Sequence, residues 1–175
     1  YFDEAYKGNF IAAGFIKEKD LTNHLPDNWR DFNKEFIPIF LKQNPDKTKI
    51  SAGLACGMLW TITKGIKEGD IVVCPDGKGN YYAAEVIGAY EYHKGNTQPH
   101  RRAVRWFSKT FTREEMSEAL RNSTGSIGTV SNITRYANEI DALLSGSSPQ
   151  VITTTDETIE DPSVFALEKH LEDFL

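Results

Sequence analysis

Ile71-Val72-Val73-Cys74-Pro75-Asp76-Gly77-Lys78-Gly79-Asn80-Tyr81-Tyr82-Ala83-Ala84-Glu85-Val86-Ile87 is the stretch whose reading decides the fold. Gly69-Asp70 turns into a β-branched run, Ile71 to Cys74, and Pro75-Asp76-Gly77 closes it. Such a run ended by Pro, Asp and Gly is a hairpin signal. The returning strand is expected over Tyr81–Tyr92. A loop from Lys94 to Pro99 leads to Arg101-Arg102-Ala103-Val104-Arg105-Trp106-Phe107, which alternates in part as a half-buried strand does.

Working outward, Asn9-Phe10-Ile11-Ala12-Ala13-Gly14-Phe15-Ile16 reads as a buried strand. Asp27 or Asn28 caps a helix in which Trp29, Phe32, Phe36, Ile37, Phe40 and Leu41 recur at helical spacing, ended by Asn44-Pro45-Asp46. A second helix is expected over Lys49–Thr63, where the small residues Ala52, Gly53 and Ala55 allow close packing. Four strands around two helices give an α+β fold with a small curved sheet or open barrel.

Thr112-Arg113-Glu114-Glu115 is a capping-box pattern, from which a helix is expected through about Arg121. Thr129 caps a final helix carrying Ile133, Tyr136, Ile140, Leu143 and Leu144, stopped at Ser145-Gly146. The domain is therefore expected over residues 1–144. Residues 145–161, rich in Ser, Thr, Pro and acids without apolar periodicity, read as an acidic linker. Residues 162–175 read as one amphipathic helix, the first element of something larger. The start lacks an initiator Met, so the sequence reads as a piece of a longer protein.

The 175 residues are 39% hydrophobic and 11% aromatic, enough for one well-packed core. No apolar run approaches the roughly 18 residues of a membrane span, and the start is no signal peptide. Cys56 and Cys74 read as small core hydrophobes, and so few cysteines fit a reducing, cytoplasmic setting. The net charge of −5 misleads about partners, because residues 145–175 hold seven acids and one Lys. Residues 1–144 hold 19 basic and 18 acidic residues, a net +1.

Within that near-neutral region, the stretch from His93 to Arg113 carries Lys94, Arg101, Arg102, Arg105, Lys109 and Arg113 and no acid. His93 and His100 lie inside it; Tyr90, Tyr92 and Trp106 border or interrupt it. Cations that neutralise phosphates, interleaved with stacking planes, are the composition of a nucleic-acid surface. A solvated basic strand with aromatics in the core has the same composition. Trp60, Tyr82, Tyr90 and Tyr92 are the candidate walls of a base pocket. There is no GxSxG, P-loop, HExxH or metal-ligand spacing, and no catalytic residue is assigned. Asp70 reads as a turn cap, and Glu85 stands alone in mid-strand.

Three motifs in order carry a resemblance: Gly69-Asp70-Ile71-Val72-Val73, Glu85-Val86-Ile87-Gly88-Ala89-Tyr90-Glu91-Tyr92, and Pro99-His100-Arg101-Arg102-Ala103-Val104-Arg105-Trp106. Together they resemble a block in N-terminal domains of bacterial restriction endonucleases of the Mrr type, which look like members of the PUA/EVE superfamily. Residues 116–130 resemble the helical continuation, and residues 161–175 the opening helix of a NucS-like nuclease domain with a PD-(D/E)XK core. The resemblance implies a PUA-like small β-barrel with flanking helices that binds DNA and takes a modified base into an aromatic pocket. From the basic stretch and aromatics read above, Lys94, His100, Arg101, Arg102, Arg105 and Lys109 are the expected nucleic-acid contacts, and Trp60, Tyr82, Tyr90 and Tyr92 the expected pocket. No cofactor is expected in this fragment; a divalent metal and a homodimer contact would belong to the absent nuclease domain. An RNA-binding module of the same type and a non-catalytic protein-interaction or regulatory domain are the competing expectations.

Overall fold

The computed structural model describes residues 1–125 and 130–146. The linker beyond Gly146, the terminal helix and the Thr129 cap lie outside the described residues.

The fold is α+β, with a curled four-stranded antiparallel half-barrel sheet and several helices. Helix α1 (Phe2–Gly8) leads into strand β1 (Phe10–Ala13). Helices α2 (Trp29–Gln43) and α3 (Lys49–Trp60) follow, and α3 passes into a π-helical turn, Thr61–Gly65. Strands β2 (Ile71–Pro75), β3 (Asn80–Tyr92) and β4 (His100–Thr112) come next. Helices α4 (Glu118–Thr124) and α5 (Ala137–Ser145) complete the chain as described. The sheet order is β1-β4-β3-β2.

The hairpin forms where the Pro-Asp-Gly signal places it. Asp76 accepts from the Lys78 and Asn80 backbone N–H groups, and Gly77 and Gly79 take positive φ values of 77° and 99°. Two register irregularities bend the β3–β4 pair, between Tyr82 and Ala84 and between Val86 and Tyr90. Such bulges add local twist, which curls the sheet. Its inner face buries Ile11, Ala84, Val86 and Val104.

Asn28 caps α2, its side chain accepting from Asp31 N–H at 2.9 Å. Trp29, Phe32, Phe36 and Phe40 are buried, as their spacing requires. Helix α3 brings its small residues against α2, close enough for the buried Asn33 amide to donate to the Gly53 carbonyl at 3.1 Å. The two helices pack with Leu21, Ile16 and Ala13 into the largest core cluster. On the other side of the sheet, Tyr81 and Phe111 pack with Met116, Leu120, Ile140 and Leu143.

Several boundaries differ from the sequence reading. The capping box at Thr112 is real, but it closes only a 3-10 turn, Arg113–Glu115. Met116 is extended and buried, and Ser117 opens α4 by accepting from Leu120 N–H. The anchoring of Met116 in the core interrupts what local pattern made one helix. Ile133 and Tyr136 precede α5, Tyr136 ending a 3-10 turn, Thr134–Tyr136. Gly146 stops α5 with φ 73°, as its sequence position indicated. Helix α1 has no counterpart in the sequence reading, since seven residues give too little periodicity to see.

Candidate nucleic-acid interface

The basic stretch folds almost wholly into β4, and alternation along the strand separates its cations. His100, Arg102 and Val104 are buried; Arg105 is exposed. Arg102 is 4% exposed. Its Nε donates to the Gly88 carbonyl at 2.7 Å, and Nη1 donates to the carbonyls of Ile66 at 2.7 Å and Ile62 at 3.3 Å. Burial pushes its pKa down. The guanidinium thus fastens the β3 bulge and the π-helical turn to β4. It serves the fold rather than a phosphate.

His100 is fully buried. Its Nε2 lies 3.2 Å from the Ile16 carbonyl, which can only accept, so Nε2 carries the proton. Nδ1 then accepts from the Tyr90 hydroxyl at 2.9 Å. The Tyr90 oxygen also accepts from Leu21 N–H. Tyr92 lies beside the same imidazole and donates to the Lys17 carbonyl at 2.7 Å. Together these contacts hold the β1–α2 loop, including Ile16 at φ 49°, an unusual conformation for a β-branched residue.

Arg101 lies on the Phe10 ring, 3.9 Å from its centroid, and is engaged by Glu4, Asn96 and the Gln98 carbonyl. Arg105 pairs with Glu85, its cross-strand partner on β3, yet keeps 66% of its side chain exposed. Lys94 and Lys109 are exposed. Of the six expected contacts, Lys94, Arg105 and Lys109 are therefore open to a ligand, Arg101 is mostly covered, and His100 and Arg102 are inside.

The four expected pocket aromatics are not gathered in one place. Trp60 donates from Nε1 to the Pro26 carbonyl at 2.8 Å and, like Tyr90, borders the helical core. Tyr92 donates its hydroxyl to the loop, and the Tyr90 hydroxyl is shared between His100 and the loop's Leu21 N–H. Tyr82 belongs to a separate cluster with Phe2, Tyr6 and Trp106, its ring 4.6 Å from Phe2 and 5.2 Å from Tyr6. Phe2 and Tyr6 reach it because they stand one helical turn apart on α1, the signal by which this helix could have been found.

Beside this cluster, where β1 stops and leaves one edge of β4 uncovered, lies an open cleft of about 440 Å3. It is lined by Tyr6, Asn9, Ile87, Val104, Arg105 and Trp106. The Trp106 Nε1 is buried and has no hydrogen-bond partner among the described residues.

A family model described as a domain of unknown function (DUF8426) matches residues 1–134. The chain belongs to the DUF8426 family. The matched range contains α1, the whole sheet and every residue of the cleft. No curated protein and no solved structure matches the chain.

The remaining polar groups of this DUF8426 chain do local work. Asp70 accepts from Lys67 N–H at 2.8 Å and caps a turn, as its sequence position suggested. Cys56 and Cys74 are unpaired, and burial raises both thiols to about 12, so neither is poised as a nucleophile. Among the described residues no group of three or more His, Cys, Asp or Glu is placed to hold a metal. No helix among them is long and apolar enough to cross a membrane.

Proposed function

We propose that this chain is a DNA-recognition domain that tests for a modified base, and that it serves a restriction endonuclease. The PUA-like identity of its half-barrel is part of the proposal. So is a metal-dependent nuclease domain of the PD-(D/E)XK type elsewhere in the parent protein.

The observation that carries the reading is the placement of Arg105. Its exposed guanidinium stands in the wall of a cleft that also contains Tyr6 and Trp106. A fork of N–H donors beside aromatic planes suits a nucleotide, since the fork grips a phosphate and the planes stack a base. Lys94, in the β3–β4 loop, and Lys109, near the end of β4, are further exposed cations on the same hairpin. Extruding a base costs a few kcal/mol, and stacking returns about 1–3 kcal/mol per aromatic contact.

The test is binding to modified duplex DNA, plain duplex DNA and RNA, each across a salt series. Preference for the modified duplex, lost at high salt, is the expected result. Equal affinity for plain duplex defeats base reading, and tighter binding of RNA replaces DNA as the partner. No salt-dependent binding leaves a protein-interaction module.

A further inference from the structure

We infer that the cleft lined by Tyr6, Asn9, Arg105 and Trp106 holds one unpaired nucleobase, with the adjoining phosphate on Arg105. This assignment rests on the nucleic-acid reading above and names the ring site within it. The expected aromatics do not supply such a site. Trp60, Tyr90 and Tyr92 use their polar tips on the backbone of the β1–α2 loop.

The cleft, by contrast, brings together what a nucleotide offers. Its volume of about 440 Å3 falls in the range of small-ligand sites. Tyr6 and Trp106, with ring centroids 5.5 Å apart, supply apolar ring surface for a flat heterocycle. Arg105 supplies the charge. Asn9 supplies an amide, a donor and an acceptor on one group, which suits the edge of a base. Asn9 is held in the left-handed conformation, φ 54°, where it ends α1, and among the described residues its side chain makes no hydrogen bond.

Trp106 adds an independent mark. Among the described residues its buried Nε1–H has no acceptor. A native structure rarely leaves a buried donor unused, and such a group is a sign of a missing partner. A base carbonyl would provide it where ligand binding opens a path to the N–H. A base inside a duplex has both faces covered by its neighbours, so the site takes an unpaired or extruded base.

The test follows the Trp106 indole N–H resonance in the 15N-labelled chain, assigned by Trp106→Phe, with the Trp29 and Trp60 signals as internal controls. The probes are dAMP, dCMP, inorganic phosphate and a single-stranded oligonucleotide. A mononucleotide is expected to move the Trp106 signal and spare the other two, while phosphate alone does not. Arg105→Gln, on an exposed side chain, is expected to weaken the mononucleotide about tenfold, the scale of a charge-assisted contact. Asn9→Gly keeps the backbone conformation and is expected to weaken it severalfold. A mononucleotide that leaves Trp106 unmoved, or phosphate that moves it as far, overturns the assignment. If the oligonucleotide binds with salt dependence while Trp106 is silent, the cleft is wrong and the recognition reading survives. If mononucleotides move Trp106 and no oligonucleotide binds, the cleft holds a free nucleotide and the recognition reading fails.

Discussion

The Arg102 guanidinium donates to the Ile66 carbonyl at 2.7 Å, across the gap between β4 and the π-helical turn. Among the described residues no carboxylate pairs with it; carbonyl oxygens of Gly88, Ile62 and Ile66 accept from it. A buried cation held by backbone oxygens fixes those backbones in turn. Arg102→Met should therefore lower unfolding free energy by about 3–5 kcal/mol, because several buried carbonyls lose their donor at once. Arg102→Lys should recover little, since an ammonium cannot span carbonyls on two elements. Urea denaturation of both variants measures this; a lysine variant as stable as the parent would show that only the charge matters.

His100 makes stability depend on pH. Burial lowers its pKa below the ordinary 6.5. The unfolded chain then binds the proton more readily than the folded one, so protonation favours unfolding. Stability should be at its plateau above the unfolded pKa and should fall as pH drops below about 6.5, down to the folded pKa. His100→Gln should flatten that slope while lowering stability overall. Denaturation midpoints taken between pH 8 and pH 5 check both; an unchanged slope would move the pH dependence to another group.

Under the proposed function, Glu85 would compete with a bound phosphate for Arg105. The two are cross-strand partners, with Arg105 66% and Glu85 30% exposed. Glu85→Gln should free the guanidinium and remove a repelling charge. Binding of DNA at low salt is expected to tighten about two- to fivefold, the scale of an exposed ion pair, with stability changed by less than about 1 kcal/mol. Fluorescence anisotropy supplies the affinity; weaker binding would mean that Glu85 orients Arg105 rather than opposing the ligand.

Pro38 sits inside α2 on its solvent side, where it removes one helical N–H. Pro38→Ala restores the donor without disturbing the buried aromatic face. The melting temperature should rise, with a gain of roughly 1–3 kcal/mol. A loss of stability would mean that the proline helps seat Phe36 and Phe40 in the core.

Much of the scaffold was legible because its signals are local. The Pro-Asp-Gly turn, the Asn28 cap and the aromatic spacing of α2 act within a few residues of themselves, and the elements formed where those signals lie. Helix α1 escaped notice because a short helix shows hardly two turns of pattern. The break at Met116 escaped because it is imposed by a core that α5 and β4 share.

The candidate site divides along the same line. Composition identified the basic, aromatic-bordered strand, and alternation indicated that its neighbouring residues face different ways. It could not say which cation would be used where. Arg101, Arg102 and Arg105 are the same residue type on one strand, yet one lies on Phe10 beside Glu4, one is buried under carbonyls, and one pairs with Glu85 while staying mostly exposed. The sequence by itself determined the hairpin, the helices α2 and α3 and the presence of the charges. Only the tertiary structure decided which charges and rings are free. Burial of a side chain depends on bulges and on partners distant in the chain, and no local pattern encodes either.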